Sequence, residues 1–190
     1  MPTRDHVLHV LRGAEASRIR FTIPAAGGLT INRATFLRVA HAIEQNHIHV
    51  NVATNFPAGV GALYHPDTDT IDTPPLLGRT SEGLLLHECT HAAFDLSSTG
   101  IAAVADEAAA YVVDALYFRM TGLPRPRWNA QLHALAGNVA DGLLSQYQRG
   151  THGIPAVDTT MWVALGFFIM THPVYIAGPA GHGGSYLHNG

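Results

Sequence analysis

The chain has 190 residues, 47% of them hydrophobic and 13% charged, with a formal net charge of −3. That length suits one domain able to bury its own core, and the composition is far from that of a disordered segment. The charge balance excludes an electrostatic case for nucleic acid, and the single cysteine, Cys89, excludes an intrachain disulfide framework.

Residues 1–18 lack the apolar core and small-residue cleavage site of a signal peptide. Val7, Leu8, Val10 and Leu11 fall at helical spacing, predicting a short amphipathic helix over 3–17. Residues 19–24 alternate and predict a strand; 25–28 form a turn. Asn32 is a good N-cap for a helix to about residue 45, buried through Phe36, Leu37, Val39, Ala40 and Ile43. Over 47–53, Ile48, Val50 and Val52 are expected on the inner face of a strand. His47, His49 and Asn51 are expected on its solvent face. Residues 61–64 and 70–73 bracket a turn rich in proline and aspartate, which predicts a hairpin. From about residue 80 the chain reads as nearly all helix. A first helix runs from Thr80 or Ser81 to about 96. A tight connection at 97–100 leads to a second over 101–120, a third follows over 128–148, and an apolar one capped by Asp158 ends near 171. The tail, 173–190, is rich in glycine and histidine. The run 161–170 is about half of a bilayer span, so no membrane span is expected. The expected fold is α+β, a small mainly antiparallel sheet followed by a predominantly helical half, in one domain over 1–190.

The first long helix carries His87-Glu88-Cys89-Thr90-His91. Residues four apart share a helix face, so His87 and His91 can grip one metal ion, with Glu88 placed to take a proton from water there. A catalytic zinc site commonly takes three protein ligands and leaves one position open. Beyond His91 the helix runs about 7.5 Å to residue 96, and from 101 back to Glu107 is about 9 Å. The connection is short enough to force an antiparallel return. Glu107 therefore comes back level with the histidines and is the expected third ligand. Tyr111 and Asp114 share its helix face. Ala108, Ala109 and Ala110 allow the two helices to approach closely. Asp106 competes with Glu107 for ligation, or supports a ligand through a histidine N–H, as could Asp95 or Asp114. Cys89 lies off the ligand face and reads as a small buried residue.

These residues resemble those of the zincin metalloproteases, and within them the gluzincins. The stretch HECTHAAFDL is similar to a gluzincin active helix, and DEAAAY to the glutamate-containing helix of small bacterial zincins. Segments 62–64 and 70–72 resemble the edge hairpin before the motif helix. The resemblance covers about 60–117, taken as the metal core. The glycine and third histidine of metzincins do not follow His91. The resemblance implies a zinc-dependent endopeptidase with His87, His91 and Glu107 on Zn2+ and Glu88 as general base, acting on a protein or peptide substrate extended along the edge strand. Members often supply a tyrosine or histidine to the oxyanion. Tyr111, His182 and Tyr186 are carried as site residues, beside His152, His172, Tyr175 and His188; the sequence does not choose among them. A solvated tail is the competing reading for each tail histidine.

Compact size and a lysine-free composition fit a bacterial effector or toxin, cytoplasmic as synthesised and delivered by a specialised secretion system, with a secretion-system or immunity partner. GC-rich coding is the simpler account of the missing lysine. Two other functions compete. A deformylase-like small-group metal hydrolase also uses His-Glu-x-x-His, but takes an upstream cysteine ligand that this chain lacks. A binding or regulatory protein with a structural metal would have no need of Glu88.

Overall fold

The structure, a computed structural model, describes residues 3–56, 61–75, 78–98, 100–124, 129–150 and 153–176. Helices α1 (Thr3–Arg12) and α2 (Ala14–Arg18) precede strands β1 (Phe21–Ile23) and β2 (Leu29–Ile31), helix α3 (Arg33–Glu44) and strand β3 (His49–Val52). Strands β4 (Leu63–His65) and β5 (Thr70–Thr73) lead into the helical half. It comprises α4 (Arg79–Asp95), α5 (Ala103–Thr121), α6 (Ala130–Gln148), α7 (Thr159–Thr171) and α8 (Pro173–Ile176). The fold is α+β.

Local chemistry explains most boundaries. The single helix expected over 3–17 is two, because Gly13 adopts extended backbone between them. Asn32 Oδ1 accepts from the Ala34 N–H at 2.8 Å while Thr35 Oγ1 accepts from the Asn32 N–H at 3.1 Å, a reciprocal cap that starts α3. Gly78, not Thr80 or Ser81, is the N-cap of α4, and it brings no side-chain hydrogen bond. Gly122 takes φ 68°, the left-handed conformation that ends α5 without a Cβ penalty. Asp158 Oδ1 accepts from the Met161 N–H at 3.0 Å and caps α7. The short helix α8 was not expected from the glycine-rich tail.

There are two sheets among the described residues. One is the antiparallel pair β1–β2, and the other has the order β3-β5-β4. The hairpin β4–β5 is antiparallel, but β3 joins β5 in parallel, which the strand pattern did not indicate. This leaves β4 as an edge strand. It lies against α4. On the inner side Ile48, Tyr64 and Ile71 are buried; Val52, expected there too, is 50% exposed because β3 runs past the cover of the helices.

Helices α4 and α5 form the centre, with α1 and α3 on one side and α6 and α7 on the other. Ala108, Ala109 and Ala110 are all fully buried. At the far end of the crossing, Gly83 faces the rings of Phe118 and Tyr117, and a Cβ there would sit 2.9 Å from Phe118 Cε2. The two halves are also tied directly. The Tyr147 hydroxyl bonds both the N–H and the carbonyl of Arg20, 127 residues away. The Thr22 N–H donates to the Pro155 carbonyl at 2.8 Å, and the Val157 N–H to the Thr22 carbonyl at 3.0 Å.

Two rigid aromatic rings cannot yield to a side chain at Gly83. Gly83→Val is expected to destabilise the fold by about 1–3 kcal/mol through overpacking, read as a lower urea midpoint at unchanged slope.

Candidate metal centre

The two motif histidines sit one turn apart on α4, with ring centroids 5.0 Å apart and planes at 73°. Their shared face is turned toward α5, where Glu107 lies in the second turn. Glu107 Oε2 is 3.8 Å from His87 Nε2 and 4.0 Å from His91 Nε2. One donor atom from each of the three residues lies within 4.8 Å of the others, and no other such trio of His, Cys, Asp or Glu occurs among the described residues. The helix-return argument and the coordinates thus bring together the same three side chains. The return helix starts at Ala103 rather than 101, yet Glu107 still comes level with the histidines.

Asp106 takes the supporting position rather than the ligand position. Its Oδ1 lies 2.7 Å from His91 Nδ1, which directs His91 Nε2 toward Glu107. Burial alone would lower the His91 pKa, but the charge and hydrogen bond of Asp106, with Glu107 and Glu88 beyond, outweigh it and raise it to about 10. His87 is held well below the ordinary histidine value, first by burial and then by the positive charge on His91 and His133, against the opposing carbonyl of Ala110. Three acidic side chains therefore stand close to two imidazoles whose affinities for a proton are pushed in opposite directions. A divalent cation bound by His87, His91 and Glu107 would take over the role of the His91 proton. The donor set of two imidazole nitrogens and a carboxylate oxygen is that of a catalytic zinc site.

Glu88 is part-buried, and the loss of solvation raises its carboxyl to about 7 against the opposing pull of His91. Its Oε2 accepts from the main-chain N–H of Tyr64, on the edge strand β4, at 2.9 Å. Sequence reasoning missed this partner, since a main-chain donor has no residue signature. The hairpin motif was the only signal for it. The Tyr64 hydroxyl reaches Asp95 Oδ2 at 2.6 Å and Asp69 Oδ1 at 3.0 Å. Asp95 is thus tied to the hairpin.

Tyr111 packs edge-on against His87, centroids 4.7 Å apart, and its hydroxyl bonds that of Tyr175 from α8. The Tyr175 hydroxyl is raised by burial, then by the negative charges of Glu107 and Glu88, and its contact with Tyr111 sets it beside the ring that packs on His87. His172 stands behind it, rings 6.1 Å apart, with Nε2 3.3 Å from Asn129 Nδ2. Asp114 is fully buried one turn beyond Tyr111. Cys89 is buried too, and burial pushes its thiol up, which removes it as a nucleophile. His152, His182, Tyr186 and His188 lie outside the described residues.

Comparison with known proteins finds no matching family model, no matching curated protein and no matching solved structure. Any functional reading therefore stands on the residues and their geometry.

Because Asp106 orients His91, Asp106→Ala is expected to weaken zinc binding by about 10- to 100-fold while leaving one site per chain. Competitive titration against a chromogenic chelator measures it.

Proposed function

We propose that the protein is a zinc-dependent endopeptidase of the gluzincin type. The observation that carries this reading is the convergence of His87, His91 and Glu107 within 4.8 Å beside a part-buried Glu88 tied to an edge strand. A structural metal site gains nothing from such a carboxylate, whereas a hydrolytic one needs a base. A zinc ion bound there supplies Lewis-acid chemistry, polarising the scissile carbonyl and acidifying water.

The chain's own residues account for the rest. Glu88 keeps one oxygen on the Tyr64 N–H and has the other to receive a proton from the attacking water. It later passes that proton to the leaving amine. Burial raises its carboxyl, and the charge of a bound cation would pull it back toward the ordinary carboxylate range. The substrate lies extended along β4, whose outer edge is unpaired within its sheet. Tyr175 offers the hydroxyl for the developing oxyanion, held by Tyr111. The substrate is a protein or peptide. No helix of the described residues is long and apolar enough to cross a membrane.

The purified protein is expected to carry about one zinc per chain and to lose peptide cleavage on chelation. Glu88→Gln is expected to keep the zinc and lose about 10²- to 10⁴-fold in kcat/KM on a cleaved library peptide. Retained cleavage in that variant overturns the mechanism. Tyr175→Phe is expected to lower kcat about 10²-fold with zinc retained, and an unchanged kcat removes Tyr175 from the oxyanion role.

A further inference from the structure

We propose that Tyr64 is the positioning residue for Glu88: it holds the carboxylate by its main chain and locks that main chain to α4 by its hydroxyl. The assignment of a catalytic purpose rests on reading Glu88 as the base; the clamp itself does not.

The strand geometry sets the direction of the Tyr64 amide. In the β4–β5 register Leu63 faces Asp72, Tyr64 faces Ile71 and His65 faces Thr70. Main-chain groups alternate along a strand between the partner and the free edge. The Tyr64 N–H points off the free edge and ends on Glu88 Oε2 at 2.9 Å. A three-residue edge strand, paired on one side only, is a weak support for a group that must be placed to within about 0.5 Å.

The side chain supplies the missing rigidity. Glu88 and Asp95 are seven residues apart on α4, two turns, and so lie along one face about 10.5 Å from each other. Tyr64 spans that interval. Its N–H is on Glu88 and its hydroxyl is on Asp95 at 2.6 Å, where Asp95 is 1% exposed. The same hydroxyl lies 3.0 Å from Asp69, in the turn between β4 and β5, but its single proton goes to the nearer Asp95. Tyr64 itself is 7% exposed, so water competes little for these bonds. Two attachments to one helix fix both the height of the strand along α4 and its rotation about the Glu88 contact. Either alone would leave one of these free.

A second consequence concerns the substrate. With its amide taken by Glu88, Tyr64 offers an extended peptide its carbonyl but not its N–H. Pairing at that residue is therefore through a substrate N–H only.

The test is amide hydrogen exchange at residue 64, with kinetics as a second arm. In zinc-loaded protein the Tyr64 amide is expected to be protected despite its place on an edge. Glu88→Ala, Tyr64→Phe and Asp95→Ala are each expected to speed its exchange at least ~10-fold. Asp95→Asn keeps an acceptor for the hydroxyl and is expected to restore protection. On a cleaved peptide, Tyr64→Phe is expected to lower kcat about 10- to 100-fold at unchanged KM and zinc content. Tyr64→Phe combined with Asp95→Ala is expected to lose no more than either alone. Wild-type exchange at residue 64 in Tyr64→Phe overturns the clamp, as does a fully additive double variant. An intact exchange pattern with no peptide cleaved by the wild type overturns the endopeptidase reading and leaves the clamp standing. Tyr64→Phe removes one atom and preserves packing; Asp95→Asn guards against loss of fold in Asp95→Ala.

Discussion

Three carboxylates, Glu88, Asp106 and Glu107, share a nearly dry space with two imidazoles, and the centre of the molecule is built around that burden. Buried negative charge is tolerated only against a cation or a set of donors. Here His91 and the Tyr64 N–H supply part of the compensation, at 2.7 and 2.9 Å from Asp106 and Glu88. Such a cluster would be a poor choice for stability alone, since apolar residues of similar volume often pack as well or better. Its presence on the two most central helices is what the proposed hydrolytic role would require.

The scaffold answers this burden with small side chains and rigid rings. Ala108, Ala109 and Ala110 bring the α5 backbone close to α4, and the aromatic pair Tyr117 and Phe118 closes the other end over Gly83. The consequence is that the ligand geometry is held by helix backbones rather than by loops. Precision of that kind is what a preorganised site needs. The hairpin before α4 and the helix α8 after α7 then approach the proposed site on α4 and α5, the hairpin with the Tyr64 main chain and α8 with the Tyr175 hydroxyl.

How much of this was readable follows from the range of each interaction. The histidine pair and the neighbouring glutamate are local, set by the 3.6-residue period, and visible in five letters. Glu107 required only a count of helical rise across a short turn. Asp106 was in view as a competitor, and its adjacency to Glu107 placed it 100° round the helix, where a ring nitrogen could meet it. Tyr175 stood among several tyrosines and histidines that no local pattern could rank, because its position depends on α8, a four-residue helix begun by Pro173. The Tyr64 amide was invisible for a different reason: every residue but proline carries that donor. The parallel pairing of β3 with β5 is likewise non-local, since strand alternation reveals faces and not neighbours. The exposure of Val52 follows from how far β3 extends beyond the helices, again a tertiary property.

The Arg20–Tyr147 clamp and the Thr22 pairing with residues 155–157 carry a consequence for how the chain reaches this shape. They join the first fifth of the polypeptide to its last third, across 127 residues in one case. Closing so long a loop costs conformational entropy that its contacts must repay. The α4–α5 pair rests on contacts close in sequence, whereas the strap between residues 20–22 and 147–157 does not. The three side chains of the proposed metal site therefore stand on near-neighbour helices, apart from the long closure that joins the two halves.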